Sequence, residues 1–312
     1  MRCSFAEMAE LTTELAGVKL ENPTVLSAGI LGNTGEILKR VGLSGAGAVT
    51  TKTIGLKPRK GNKNPTVVDM GDVFLNAMGL PNPGAENFVE EIRIAKEGGK
   101  PIISSIFGKD AGEFAEVAKI LKKAEPDLFE LNISCPNVGS GMSFGCDPVA
   151  AGKVVEKVKA VTDISLSVKM TPNTHLLVEV AKSVEKAGAS VITAINGLGP
   201  GMVIDVETGI PVLANKVGGV SGKFVRPIAT RCIYSIAQAV KIPIIGVGGI
   251  YSGEDAAQHI IAGASAVGIG TAVKDHYLDI FKKVCDELDV ILERKKLKSI
   301  GELVGTVKEV LT

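Results

Sequence analysis

The chain has 312 residues, 45% of them hydrophobic but only 4% aromatic and none Trp, and its net charge is +1. That length and apolar content suit one large domain or two small ones with a core of Val, Ile, Leu and Ala, and one domain over residues 1–312 is expected. The near-neutral balance lacks the basic stripe of a nucleic-acid-binding protein, and no uninterrupted apolar run is long enough to cross a bilayer.

In chain order, the opening "MRCSFAEMAELTTELAG" carries acids and no continuous apolar core, so it does not read as a signal peptide. "PTVLSAG" (23–29) and "GAVTTKT" (47–53) read as strands buried on both faces, because they are β-branched and almost free of charge. A long connection rich in Lys, Pro and Gly follows over 54–82. "PIISSIF" (101–107) is a third strand, and "DAGEFAEVAKILKKA" (110–124) a helix that opens on Asp110. "DLFELNIS" (127–134) is a fourth strand. "DPVAAGKVVEKVKAVT" (147–162) is a helix with an Asp cap and Pro in its first turn.

The pattern repeats to the end. "ISLSVKM" (164–170) precedes a helix over 174–188. "ASVITAIN" (189–196) precedes a second long connection, 197–224, and a helix over 226–240. "IPIIGVGG" (242–249) precedes a helix over 252–263 that Gly263 stops, and "ASAVGIGT" (264–271) is the eighth strand. Strand and helix alternating eight times imply a parallel sheet with right-handed crossovers, closed into a (β/α)8 TIM barrel. A doubly wound open sheet would want G-x-G-x-x-G after the first strand, and "SAGILGNTG" matches that poorly. The two long connections are expected to build a mouth over the C-terminal ends of the strands.

Polar residues concentrate at those ends. Lys52 closes the second strand, Asn132 and Cys135 the fourth, Lys169 the fifth and Asn196 the sixth. Gly248 and Gly249 close the seventh, Gly270 and Thr271 the eighth. Active sites of barrels form on this face, and the loops after strands seven and eight are a common phosphate site. Glycines there let backbone N–H groups approach a phosphate, aided by a helix N-terminus; FMN, pyridoxal phosphate and sugar phosphates all satisfy this, and tight turns alone also require glycine. A lysine in "ISLSVKM" must reach the mouth, since a buried unpaired ammonium is too costly; it would serve as a Schiff base or stabilise an anion. Asn76, Asn132, Asn137 and Asn196 offer paired donors and acceptors, which suit a pyrimidine ring. The five cysteines are scattered with no C-x-x-C, so neither an iron–sulfur cluster nor zinc is expected in this chain, and a reduced, cytoplasmic setting is. Cys135 ends a strand just before Pro136, with no His near it in sequence, so a Cys–His hydrolase is disfavoured.

"ELNISCPNVGSGMSFGCDP" resembles the catalytic segment of class 1 dihydroorotate dehydrogenases, most closely subclass 1B. "NPTVLSAG", "TKT", "FLNAMGLPNPG", "SVKMTPN", "GGVSGKFVRPIA", "IPIIGVGGI" and "AGASAVGIGTA" extend the resemblance from about residue 17 to the C-terminus. It implies an FMN-containing barrel that oxidises (S)-dihydroorotate to orotate in pyrimidine synthesis. By motif, Cys135 would be the base at substrate C5, with hydride passing from C6 to FMN. Lys52, Asn76, Met78, Gly79, Leu80, Asn132, Asn137 and Asn196 would hold the substrate. Ala28, Gly29, Lys52, Thr53, Asn132, Lys169, Ile195, Gly222, Gly248, Gly249, Gly270 and Thr271 would hold FMN, with Lys169 balancing negative charge on the reduced ring. The Gly-rich tail 139–145 would act as a lid.

The sequence departs from the family in a shortened 62–74 segment, in Ser105 where Asn is common, and in Gly197 where Ser or Thr is common. The subclass 1B likeness implies a homodimer core flanked by two iron–sulfur flavoprotein subunits carrying FAD and [2Fe-2S] and passing electrons to NAD. A fumarate-using class 1A homodimer, a dihydropyrimidine dehydrogenase-like barrel and a non-catalytic phosphate-binding scaffold are the alternatives. A dihydrouridine synthase would need a basic RNA-binding surface.

Overall fold

A computed structural model describes residues 9–134 and 144–308. Eight parallel strands close into a barrel: β1 (Thr24–Leu26), β2 (Ala48–Thr50), β3 (Ile102–Ile106), β4 (Leu128–Asn132), β5 (Ser165–Met170), β6 (Val191–Ala194), β7 (Ile244–Val247) and β8 (Ala266–Ile269). Each pairs with the next, and β8 pairs with β1, as the eightfold alternation predicts. Every expected strand forms, within the expected span but shorter. Residues such as Ser27–Gly29 and Lys52–Thr53 leave the ladder to line the mouth.

The helices on the outside are α1 (Gly35–Leu43), α2 (Ala85–Lys96), α3 (Ala111–Leu121), α4 (Pro148–Lys159), α5 (Leu177–Lys186), α6 (Arg226–Ala237), α7 (Gly253–Ala262) and α8 (Asp279–Lys295). The caps read from sequence are in place. The Asp110 side chain accepts from Glu113 N, Asp147 accepts from Val149 N and Ala150 N ahead of Pro148, and Gly263 ends α7 at φ 123°. Apolar stripes, including Phe114 and Val117 of α3, Val154 and Val158 of α4 and Val284 and Leu288 of α8, bury against the outer face of the barrel.

Two further pieces close the ends of the barrel. An antiparallel hairpin, Thr13–Leu15 with Val18–Leu20, lies under the N-terminal ends of the strands. Its two-residue turn has positive φ at both Ala16 (51°) and Gly17 (90°), the geometry that matches strand twist in tight hairpins. Leu15 and Leu20 complete an apolar plug with Val25, Ala48, Ile103, Leu128, Val191, Ile245 and Ala266. At the other end, the two long connections pair with each other. Leu198–Gly201, Gly218–Ser221, Phe74–Asn76 and Val67–Asp69 form, in that order, a four-stranded antiparallel sheet. Leu75, Ala77 and Leu213 give it a small core of its own.

Candidate active site

Between the C-terminal ends of the barrel strands and this sheet lies a cavity of about 800 Å³. It collects all the described residues singled out from sequence. Asn76, Met78, Gly79 and Leu80 come from the sheet and the segment after it; Lys52 and Thr53 follow β2, and Asn132 and Lys169 come from β4 and β5. Ala28 and Gly29, Ile195 and Asn196, Gly222, Gly248 and Gly249, and Gly270 and Thr271 complete the wall. Cys135 and Asn137 lie outside the described residues. So does 139–143 of the expected lid. Phe144 and Gly145 at its far end are anchored instead, with Phe144 buried edge-to-face against Phe114 and Gly145 N donating to Ile133 O at 2.8 Å.

The amides interlock rather than standing separately. Asn132 Oδ1 accepts from Ser134 Oγ at 2.6 Å and from Asn196 Nδ2 at 3.2 Å, and Asn196 Nδ2 also donates to Ser134 Oγ at 2.5 Å. That commits the Asn132 oxygen and the Asn196 nitrogen, so Asn132 has N–H groups and Asn196 an oxygen to offer a ligand. A rigid donor beside a rigid acceptor fits the N–H and C=O edge of a pyrimidine. Ser134 was not read as functional from sequence, although its place between Asn132 and the strand's last thiol was visible.

Lys52 and Lys169 are both 5% exposed. Burial, and then the charge of Lys169, hold Lys52 below the ordinary lysine range. Lys169 was expected to escape into the mouth because it would otherwise be unpaired. It does line the cavity, but it remains buried and has a partner: Glu130 Oε1 is 3.6 Å from its Nζ. Glu130, 3% exposed, accepts from Ser105 Oγ at 2.9 Å, and Ser105 Oγ is 3.0 Å from Thr53 Oγ1. Since Ser105 spends its proton on the carboxylate, Thr53 is the donor in the second bond. Sequence reading missed Glu130, yet a carboxylate in the middle of a buried strand was the signal that could have found it.

The glycines divide into two kinds. Gly248 and Gly249 have φ of 134° and 75°, and a Cβ there would meet Ala229 Cβ at 2.9 Å and Arg226 Cβ at 2.6 Å. The turn and its packing on α6 account for both. Gly270 is different: its φ is not positive, and a Cβ would meet Ser27 Cβ at 3.6 Å and nothing closer. Its missing side chain leaves room in the cavity wall. Beside it, the buried Ser27 Oγ has no hydrogen-bond partner among the described residues. Room at Gly270, a lone hydroxyl and two lysines fit a phosphorylated flavin. At the first turn of α7, Gly253 N donates to Glu287 Oε2 at 2.5 Å and Asp255 N to Ser252 Oγ at 3.2 Å. Asp255 also pairs with Arg226 and accepts from Tyr251 N.

Cys146 lies on the cavity wall too, with its Sγ 3.7 Å from Asn173 O. Gly197, where the family commonly has a hydroxyl, also lines the cavity.

Known proteins resemble the chain along most of its length. The family model described as dihydroorotate dehydrogenase matches residues 10–292. A protein of Methanosarcina mazei named dihydroorotate dehydrogenase B (NAD(+)), catalytic subunit, is 46% identical over 300 residues, covering 95% of each chain. Those of the same name in Methanocaldococcus jannaschii (46% over 304 residues, 96% of this chain and 98% of the relative) and Pyrococcus furiosus (44% over 299 residues, 95% and 98%) are similar along the same span.

Proposed function

The chain belongs to the dihydroorotate dehydrogenase family, and on that premise we propose that it oxidises (S)-dihydroorotate to orotate in pyrimidine biosynthesis, as the catalytic subunit of an NAD-linked enzyme. The observation that carries this reading is the meeting, in one cavity, of two buried lysines with an interlocked pair of amides, Asn132 at the end of β4, one residue short of the "SCPN" segment, and Asn196 just beyond β6.

FMN fits the wall described above. Gly222, Gly248, Gly249, Gly270 and Thr271 would surround its phosphate end. Ala28, Gly29, Thr53, Lys169 and Ile195 would lie along its ring system. The chemistry supplied by the bound flavin is acceptance of hydride from substrate C6. The protein's own residues do the rest. Asn76, Asn132, Asn137 and Asn196 hold the substrate ring by its amide edges, with Met78, Gly79 and Leu80 closing over it. Lys52 faces the substrate carboxylate, and a carboxylate beside it restores the charge that burial disfavours. Cys135 removes the proton at C5. A free thiol ionises at about 8.5, so a base of this kind needs nearby positive charge to work near neutrality, and Lys52 and Lys169 supply it.

FAD and [2Fe-2S] would reside in a partner subunit, two of which would flank a homodimer of this chain and pass electrons to NAD. Met202, Ile204, Val206 and Ile210 are exposed along one excursion of the mouth and offer apolar surface that such an assembly would cover. A cytoplasmic setting is supported by the free thiols at Cys146, Cys232 and Cys285.

The test is direct. Purified protein given dihydroorotate and an artificial electron acceptor accumulates orotate, followed by its ultraviolet absorbance. Turnover of dihydrouracil in place of dihydroorotate would overturn the substrate assignment. Co-purification of an iron–sulfur flavoprotein, with NAD rather than fumarate reduced or consumed, checks the acceptor.

A further inference from the structure

The buried carboxylate on β4 has no part in the scheme above. Glu130 stands one pleat below Asn132, opposite Ser105 of β3 and Ser167 of β5 in the barrel register. At 3% exposure a carboxylate is strongly disfavoured unless its charge is answered. Here it is answered from two sides: by the Ser105 hydroxyl at 2.9 Å and by Lys169 Nζ at 3.6 Å. Among the described residues, the charged groups facing Lys169 are Glu130, on the adjacent strand β4, and Lys52, beyond the end of β2. Its register neighbour on the other side, Thr193 of β6, is neutral and is bonded to Ser167 Oγ at 2.8 Å. Of the two buried ammonium groups, Lys169 is the one with this carboxylate beside it.

We propose that Glu130 is a positioning residue for the cofactor. Its carboxylate, held by Ser105, fixes the Lys169 ammonium on the cavity wall, so that a cation stands ready for the negative charge that a flavin gains on reduction. Ser105, where the family commonly has Asn, is the hydroxyl that orients this carboxylate and ties it through Thr53 to the cavity. The inference rests on the FMN reading and deepens it. It assigns Glu130 no contact with substrate or flavin.

Without the carboxylate, two buried like charges would face each other with no partner holding Lys169 in place. The experiment compares the midpoint potential of FMN in the purified holoprotein, wild type against Glu130→Gln, at one pH near neutrality. The expected result is that the potential of Glu130→Gln lies below the wild-type value, because the cation no longer stands where the reduced flavin needs it. Glu130→Asp keeps the charge but withdraws it by one methylene, and lowers the potential by less; it decides the matter if Glu130→Gln does not fold. An unchanged or raised potential in variants that still bind one FMN would overturn this inference alone. A wild-type protein that takes up no FMN would overturn the cofactor reading and the inference with it.

Discussion

At the floor of the barrel, Ile103 and Leu128 close round Leu15 and Leu20 of the N-terminal hairpin. One pleat further along the same two strands, on the same inward face, stand Ser105 and Glu130. Both layers are buried. The floor is filled by aliphatic contact from neighbouring strands and a plug from elsewhere in the chain. The upper layer is filled by groups that must each find a partner, and it opens into a cavity where the remaining partners are to come from ligands. The difference teaches where this molecule keeps its stability and where it keeps its chemistry. A change at the floor should be felt in folding, and a change at the mouth in binding and reactivity.

Three experiments would break or sharpen that division. The largest effect is expected at the mouth. Cys135→Ala should bind FMN and orotate and melt like the wild type, yet reduce its flavin with dihydroorotate about 10²–10⁴-fold more slowly, the ordinary contribution of a general base. Near-normal reduction in stopped-flow would remove the base role from Cys135. The floor should answer in the opposite way. Leu15→Ala deletes a fully buried side chain from the plug and should cost about 2–5 kcal/mol in denaturant unfolding, while folded variant reduces its flavin at the wild-type rate. A slowed flavin step with unchanged stability would mean that the plug governs the mouth.

The smallest effect concerns Lys52, whose burial lowers its proton affinity. In the window between that depressed value and the ordinary 10.5, the folded apoprotein binds fewer protons than the unfolded chain. Stability attributable to this group therefore rises with pH across the window, by at most about 1.4 kcal/mol per pH unit. Unfolding of the apoprotein should show this slope, and Lys52→Met should lose it. An unchanged slope would place the titration elsewhere.

Much of this arrangement was readable before any coordinates. Buried parallel strands must be short, apolar runs, so all eight stood out, and the polar residues at their ends marked the mouth. The hairpin under the barrel was hidden because its turn uses Ala16 at φ 51°, a residue that carries no turn signal, and because each of its strands has three residues. The sheet over the mouth pairs segments well over a hundred residues apart, and only its place in the two long connections was evident. The glycines of β7 and β8 read alike in sequence. Separating Gly248, which α6 crowds, from Gly270, which faces open cavity, needs the packing around each. Lys169 was weighed as a charge without a partner because Glu130 lies 39 positions before it in the chain and meets it only when β4 and β5 lie side by side.

The central claim is that this cavity takes reducing equivalents from dihydroorotate into a bound flavin. Anaerobic mixing of the purified, FMN-loaded protein with dihydroorotate, watched at the flavin absorption band, tests it most directly. The band should bleach, in proportion to bound FMN and with orotate formed in equal amount. Full FMN occupancy with no bleaching by dihydroorotate, and bleaching by dihydrouracil instead, would contradict it.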